Sequence, residues 1–289
     1  MTLDSTLASL RLLAGRARDA ALVAARRSSA AHRPLPDFVI LGAQKAGTSS
    51  LYARLVTHPR VLPALRKEVH FFDTGAPARA DRYRAYFPTS RERAAVEQQC
   101  GAPALTGEAT PYYLFHPAAP ARARSVVPDA RLIGVLRDPV ARAISGYHHA
   151  VRFGHERRPI QVALDPDHEE RLANAADDGW FDERQSPARL RGYLARGRYA
   201  EQLERWWTQY PREQLLIVES SELRTGGAFT RVLEFLGLEE ATDGTVTPDR
   251  NVGSYAAPPL ALIDRLGEYF APHNQRLFTL LGNHWDWQA

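Results

Sequence analysis

The stretch Asp37-Phe-Val-Ile-Leu-Gly-Ala-Gln-Lys-Ala-Gly-Thr-Ser-Ser-Leu51 constrains the fold more than any other part of the chain. Phe38 to Leu41 is an unbroken apolar run, the pattern of a parallel strand covered on both faces, and it stops at Gly42. From Thr48 the apolar residues Leu51, Leu55 and Val56 recur at helical spacing. Ala43 to Gly47 must therefore be a tight loop that feeds a helix N-terminus. Such a turn collects anions, because the first-turn N–H groups have no partner within the helix and the helix dipole adds positive charge. Lys45, Thr48, Ser49 and Ser50 add side-chain donors.

A Walker A loop, G-x-x-x-x-G-K-[ST], is one pattern of this kind, and Gly42-Ala-Gln-Lys-Ala-Gly-Thr-Ser49 keeps its glycine separation. Thr48 then stands where the lysine belongs, and Lys45 lies inside the loop. The usual placement of lysine on the β/γ-phosphates and of a hydroxyl on Mg²⁺ is lost. Composition sharpens the point: of 37 basic residues only Lys45 and Lys67 are lysines. A chain that uses arginine almost everywhere keeps the compact ammonium where a planar guanidinium would not fit a tight loop.

A second strand-to-helix turn lies at Arg131-Leu-Ile-Gly-Val-Leu-Arg-Asp-Pro139. Leu132 to Leu136 reads as a buried strand, and Asp138 as an N-cap followed by proline at the first helical position. Val140, Ile144, Tyr147 and Val151 form the apolar stripe of that helix, with Arg142, Ser145 and His149 on a neighbouring polar stripe. Arg137 sits at the strand's carboxyl end, where open α/β sheets bind ligands. Between the two turns, Leu65 to Asp73 reads as extended, which places Glu68 and His70 on one face and Lys67, Val69 and Phe71 on the other. That pairs a carboxylate with an imidazole able to orient it. Residues 79–98 read as charged helix, and Leu105 to Glu108 as a short strand before a cleft-lining loop, Ala109 to Tyr113. Further on, the helix opening at Gly192 to Tyr199 carries Leu203, Trp206 and Trp207 as core, and Leu215 to Val218 is another strand with a helix around Phe229 to Leu236. Leu260 to Leu281 gives two closing helices. These elements predict an α/β fold, a three-layer sandwich around a mainly parallel sheet with a P-loop-like nucleotide site.

With 289 residues and 44% apolar content, the chain suits one main domain, placed here at 37–289. A net charge of +4 fits an anionic ligand but is too dispersed for nucleic acid. The single Cys100 excludes an intramolecular disulfide and is compatible with a reducing compartment. Arginines interrupt the short N-terminal apolar stretches, so neither a signal peptide nor a spanning helix is expected, and the expected location is cytoplasmic. Residues 3–30 read as a basic, alanine-rich helix that packs on the domain or frays, with contact to an anionic membrane surface as the lesser reading, and 31–36 as a linker.

In order, Gln44-Lys-Ala-Gly-Thr-Ser-Ser50, Lys67-Glu-Val-His-Phe-Phe72, Gly107-Glu-Ala-Thr-Pro-Tyr112 and Leu136-Arg-Asp-Pro-Val-Ala-Arg-Ala-Ile-Ser-Gly-Tyr147 resemble the PAPS-dependent sulfotransferases. The resemblance is strongest to the heparan sulfate and bacterial carbohydrate or metabolite branch, and runs from about residue 37 to the C-terminus. It implies a sulfuryl donor, 3′-phosphoadenosine-5′-phosphosulfate (PAPS). Lys45, Ala46, Gly47, Thr48, Ser49 and Ser50 would hold the 5′ end, and Arg137 and Ser145 the 3′-phosphate. Arg250 and Ser254, in the loop 249–255, would complete the 3′ site. It implies Glu68 as base, with His149 as the rival, because some N-sulfotransferases carry a second candidate there. A sulfuryl group in flight carries less charge than a phosphoryl group, so one ammonium and backbone donors suffice and no metal is implied. Residues 161–184 resemble the family's variable acceptor lid. The heparan sulfate enzymes often have lysine where this chain has Ala109, so their acceptor contacts do not transfer directly. The expected reaction is transfer to a hydroxyl, in preference to an amine, of a carbohydrate or small-metabolite acceptor. The alternatives are a Mg²⁺-dependent P-loop kinase, disfavoured by the loop, and a non-catalytic nucleotide-binding partner module, disfavoured by intact Lys45, Glu68 and Arg137. Acceptor identity and oligomeric state stay open at this stage.

Overall fold

The computed structural model describes residues 15, 18–169, 180–183, 186–239 and 257–287. Its centre is a five-stranded, all-parallel sheet of β1 (Phe38–Gly42), β2 (Val61–Pro63), β3 (Leu105–Ala109), β4 (Arg131–Leu136) and β5 (Leu215–Glu219), in the order β2-β3-β1-β4-β5. Every residue of β1 and β3 is buried, as strands covered on both faces require. The helices around it are α1 (Thr48–Leu55), α2 (Ala80–Arg84), α3 (Ser90–Cys100), α4 (Ala119–Arg124), α5 (Pro139–Arg152) and α6 (Ile160–Ala163). They continue with α7 (Pro187–Arg191), α8 (Tyr199–Trp207), α9 (Ser220–Thr225), α10 (Gly227–Leu236) and α11 (Leu260–Leu281).

Strand order fixes where a ligand can sit. From β1 the chain moves one way, to β2 and β3, and then crosses to β4 and β5 on the other side. The carboxyl ends of β1 and β4 therefore flank the topological switch point, the crevice where open parallel sheets bind ligands. Two apolar cores support it. The larger packs the sheet against α1, α8 and α10 through Phe38, Ile40, Leu51, Leu203, Trp206 and Val232. The smaller holds α5 to α11 through Val140, Ile144, Leu262, Leu266 and Phe270. Trp206 is fully buried and Trp207 packs at the core's edge, as expected of core residues.

Three expectations need correction. Leu260–Leu281 is one helix rather than two, running through Pro272. Leu262, Leu266, Phe270 and Leu277 stay buried along one side, and that burial outweighs the hydrogen bond proline removes. Residues 31–36 are not a free linker: a 3₁₀ turn spans Arg27–His32, and the buried Arg33 donates to the Phe87 carbonyl at 2.6 Å. The segment before α8 makes a 3₁₀ turn, Ala195–Gly197, and the helix itself starts at Tyr199. No helix among the described residues is long and apolar enough to cross a membrane.

Candidate active site

The loop between β1 and α1 is built for close backbone approach. A Cβ on Gly42 would lie 2.7 Å from Leu114 Cβ and 2.8 Å from the Pro111 carbonyl oxygen, so only glycine lets the strand end pack on the 110–114 turn. Gly47 caps α1 with φ 99°, a left-handed conformation that L side chains rarely adopt. The amides of Thr48, Ser49 and Ser50 follow in the first turn of α1, where the helix dipole is positive.

Around this loop the structure gathers cations. Lys45 is half-buried, and its ammonium is held below the usual lysine range first by burial, then by Arg137, Arg152 and Lys67. Arg137, leaving the end of β4, donates to the Lys45 carbonyl at 3.1 Å, and its own carbonyl accepts from Tyr199 Oη at 2.8 Å. Asp138 caps α5 by accepting from the Ala141 amide at 2.7 Å, as its sequence position predicts. Ser145 lies on α5 and is buried. Arg142, grouped with it on the polar stripe, turns away instead: it is fully buried and donates to the Tyr193 carbonyl. Arg196, arriving before α8, donates to the side chain of Gln44 in the loop. So many like charges beside a helix N-terminus favour the binding of an anion.

The carboxylate arrives from the 65–73 segment, though not on a strand. Glu68 and His70 have φ values of 60° and 55°, left-handed conformations that break the predicted alternation. The Glu68 amide donates to the carbonyl of Ala109 at the end of β3 (3.0 Å), and the His70 amide donates to Thr110 Oγ1 (3.4 Å). The two side chains still meet, with His70 Nε2 3.5 Å from Glu68 Oε2. Lys67, expected to point away, instead donates to Glu68 Oε1 at 2.8 Å, because the left-handed turn swings both side chains to one side. The Glu68 side chain is 45% exposed. Partial burial would raise its pKa, but hydrogen bonds from His70 and Lys67 outweigh that and hold it down at about 2.

Behind this pair stands Asp73, a residue to which the sequence pattern assigns no role. It is fully buried, and its Oδ2 lies 2.6 Å from His70 Nδ1 and 2.6 Å from Arg189 Nη2. Burial would lower the imidazole pKa of His70, yet contact with Asp73 and Glu68 raises it overall. A local signal for Asp73 existed, since it follows His70 by three residues. None existed for Arg189, which comes from α7, 116 positions beyond Asp73. His149 faces the same space: its pKa falls to about 4, first through burial and then through Lys45, with Glu68 opposing. Lys45, Glu68, His70, Arg137 and His149 are thus brought to one cleft, with Lys67 and Arg152 as further members. Ala109 is a buried end residue of β3. Arg250 and Ser254 lie outside the described residues, as do residues 170–179 and 184 of the expected acceptor lid.

Comparisons with known proteins point the same way. The sulfotransferase domain description matches residues 35–248. Human heparan sulfate glucosamine 3-O-sulfotransferase 3B1 is 28% identical over 285 residues, covering 90% of this chain and 67% of that protein. The human bifunctional heparan sulfate N-deacetylase/N-sulfotransferase 3 is 33% identical over 216 residues, covering 71% of this chain and 22% of that one. Among solved structures, a sulfotransferase from Alicyclobacillus acidocaldarius superposes with a TM-score of 0.62 at 29% identity, covering 87% of this chain and 98% of that chain. With both strand-to-helix turns and the Glu68 loop inside the matched region, the chain belongs to the sulfotransferase family and is a transferase.

Proposed function

We propose that this sulfotransferase uses PAPS as donor and transfers its sulfuryl group to a hydroxyl of a carbohydrate or small-metabolite acceptor. The observation that carries the reading is the cation cluster of Lys45, Lys67, Arg137 and Arg152 at the N-terminus of α1, with the Glu68 carboxylate at its edge. The residues present fit the donor. Lys45 and the amides of residues 47–50 would hold the 5′-phosphosulfate, and Arg137 and Ser145 the 3′-phosphate. When bound, the donor supplies an activated sulfuryl group on a phosphate leaving group.

The chain's own side chains would then do three things. Lys45 would neutralise the negative charge that grows on the bridging oxygen as the S–O bond breaks and its electron pair stays with the phosphate. Glu68 would accept the proton from the acceptor hydroxyl as the oxygen's lone pair forms the new bond to sulfur. Lys67, donating to Oε1, and His70, with Nε2 3.5 Å from Oε2, would hold Glu68 ionised and in place. His149 is half-buried, with its pKa pushed down to about 4 by burial and Lys45, and is the rival acceptor for the hydroxyl proton. The heparan sulfate relatives support a carbohydrate acceptor.

The test pairs binding with turnover. Adenosine 3′,5′-bisphosphate should raise the melting temperature in a concentration-dependent way, while ATP with Mg²⁺ should not match it. Labelled donor should then mark one class within a panel of hydroxylated and amine acceptors. Stabilisation by ATP–Mg²⁺ alone, with phosphate transfer, would move the assignment to a kinase.

A further inference from the structure

The end of α5 presents an aromatic ring beside the reacting groups, and neither donor binding nor proton transfer uses it. His149 lies in the cleft, where Lys45, Glu68 and Arg152 all act on it. One turn on, the Phe153 ring leans against that imidazole, with centroids 4.7 Å apart and planes at 54°. Much of the ring faces solvent: Phe153 is 53% exposed, and every other aromatic side chain among the described residues is buried or half-buried. Single apolar residues on a surface are ordinary; contact with a cleft imidazole sets this one apart.

The helix end holds the ring in place. The Phe153 amide donates to the His149 carbonyl at 3.2 Å, the Gly154 amide to that of Val151 at 3.0 Å and the His155 amide to that of Ala150 at 2.9 Å, with Gly154 at φ 73°. This is a Schellman closure, made by backbone groups alone. It fixes the Cα of Phe153 but asks nothing of its side chain, so a polar residue would end the helix as well without exposing apolar area. The Arg152 guanidinium, 5.7 Å from the ring centre, adds hydrogen-bond donors next to the ring.

We propose that Phe153 is a binding platform on which the acceptor stacks a pyranose ring, and that it sets a preference for cyclic sugars. The inference rests on the carbohydrate reading above. One face of a pyranose is a patch of C–H bonds, and its edge is a ring of hydroxyls. The C–H face suits the negative face of an aromatic ring, and the edge suits Arg152. A flat phenolic acceptor gains most in a closed apolar slot that covers both of its faces, which a one-sided, half-exposed ring does not supply. An open-chain polyol has no flat apolar face to offer. A sugar seated on Phe153 directs a hydroxyl back along α5 to Glu68 and its rival His149, so the proposal holds whichever of them takes the proton.

Shielding His149 from water is the other task the ring performs, and a leucine would perform it too. Phe153→Leu therefore keeps the cover and removes the π face, whereas Phe153→Trp keeps both. In the full chain with labelled donor, the acceptors are cellobiose and chitobiose as pyranosides, glucitol as an open-chain polyol and 4-nitrophenol as a planar ring. For the pyranoside that the parent sulfates best, F153L should raise the acceptor KM about three- to tenfold with kcat and donor KM unchanged, because stacking is equal in the ground and transition states. F153W should restore the parent's KM, and turnover of glucitol should not move in either variant. An unchanged pyranoside KM in F153L, a loss in kcat instead of KM, an equal loss with glucitol, or a parent that prefers 4-nitrophenol to both sugars overturns the proposal. If no acceptor in the panel is sulfated, the acceptor reading fails separately, and saturation-transfer NMR of the two disaccharides on the bisphosphate-loaded protein decides the platform. Parent and F153W should then contact the C–H face of a pyranose and F153L should not; no such contact in the parent overturns the stacking role.

Discussion

Replacing Lys45 should make the protein more stable and nearly inactive at once. Its ammonium sits half-buried among Arg137, Arg152 and Lys67, and all of these like charges, together with burial, push its proton off. A like charge about 7 Å away at an effective dielectric constant of roughly 40–80 is worth about 0.6–1.2 kcal/mol. After solvent screening, relief of about 1–2 kcal/mol is a reasonable sum for the cluster, or about 2–8 °C in melting temperature for a chain of this size. Lys45→Met keeps the apolar stem, so little packing is lost. The same change removes a donor aimed at charge that develops in the transition state, for which a loss of about 10²–10³-fold in turnover is typical. Differential scanning fluorimetry, transfer of labelled sulfate and calorimetric titration of adenosine 3′,5′-bisphosphate read the three quantities. Binding of the bisphosphate should weaken much less than turnover, since the group in flight is absent from it. A variant that melts lower than the parent and keeps turnover within tenfold would refute the reasoning, because neither an uncompensated cation cluster nor a transition-state role could then be right.

Arg137→Ala should weaken adenosine 3′,5′-bisphosphate binding by about 2–4 kcal/mol in calorimetry and barely affect adenosine 5′-phosphosulfate, which has no 3′-phosphate; equal losses would remove Arg137 from that site. Glu68→Gln should lower turnover by about 10²–10⁴-fold with bisphosphate binding intact, and His149→Ala by less; the reverse ranking would transfer the base to α5. His116 is buried, accepts from the Ala118 amide on Nδ1, and has its pKa pushed down from 6.5 to about 4 by burial. Its folded pKa is below its unfolded one, so the stability it permits is complete above pH 6.5 and lost as pH falls toward 4, by about 3 kcal/mol in all. His116→Gln should flatten that part of the denaturation curve measured against pH.

The framework was legible because its signals are local. Phe38 to Leu41 and Leu132 to Leu136 are apolar runs ended by loop residues, and Asp138-Pro139 is a helix start in two residues, so both strand-to-helix turns could be placed from pattern alone. The division of Leu260 to Leu281 into two helices failed for the opposite reason: buried Phe270 and Leu277 lie on either side of Pro272, and tertiary packing overrode a local breaker. The supports of the site were hidden because they are distant in sequence. Asp73 is anchored by Arg189, and Gln44 by Arg196, from elements more than a hundred residues away. Nothing in the periodicity of α7 or of the turn before α8 points toward the cleft.

The reading of residues 65–73 as a strand failed at the positions where chemistry outweighs backbone preference. Among the described residues, the only non-glycine positions with positive φ are Lys45, Glu68 and His70, at 72°, 60° and 55°. A loop selected only for shape would carry glycine or asparagine there, since other L residues are disfavoured in that region and a sparsely populated conformation costs on the order of 1–3 kcal/mol. The rest of the fold must hold these residues in place, and it does so with the β1 and β3 ends beneath them and with contacts to Ala109, Thr110, Asp73 and Arg137. Their side chains are therefore what the strain retains: an ammonium, a carboxylate and an imidazole, each raised into one cleft by a turn that its own residue type disfavours. Glycine at any of the three would relax the backbone and remove the functional group together. Stability should consequently change little in Glu68→Gly, where relief of φ offsets the lost contacts to Lys67 and His70, while turnover collapses. A large loss of stability in that variant would mean the conformation is imposed by packing alone.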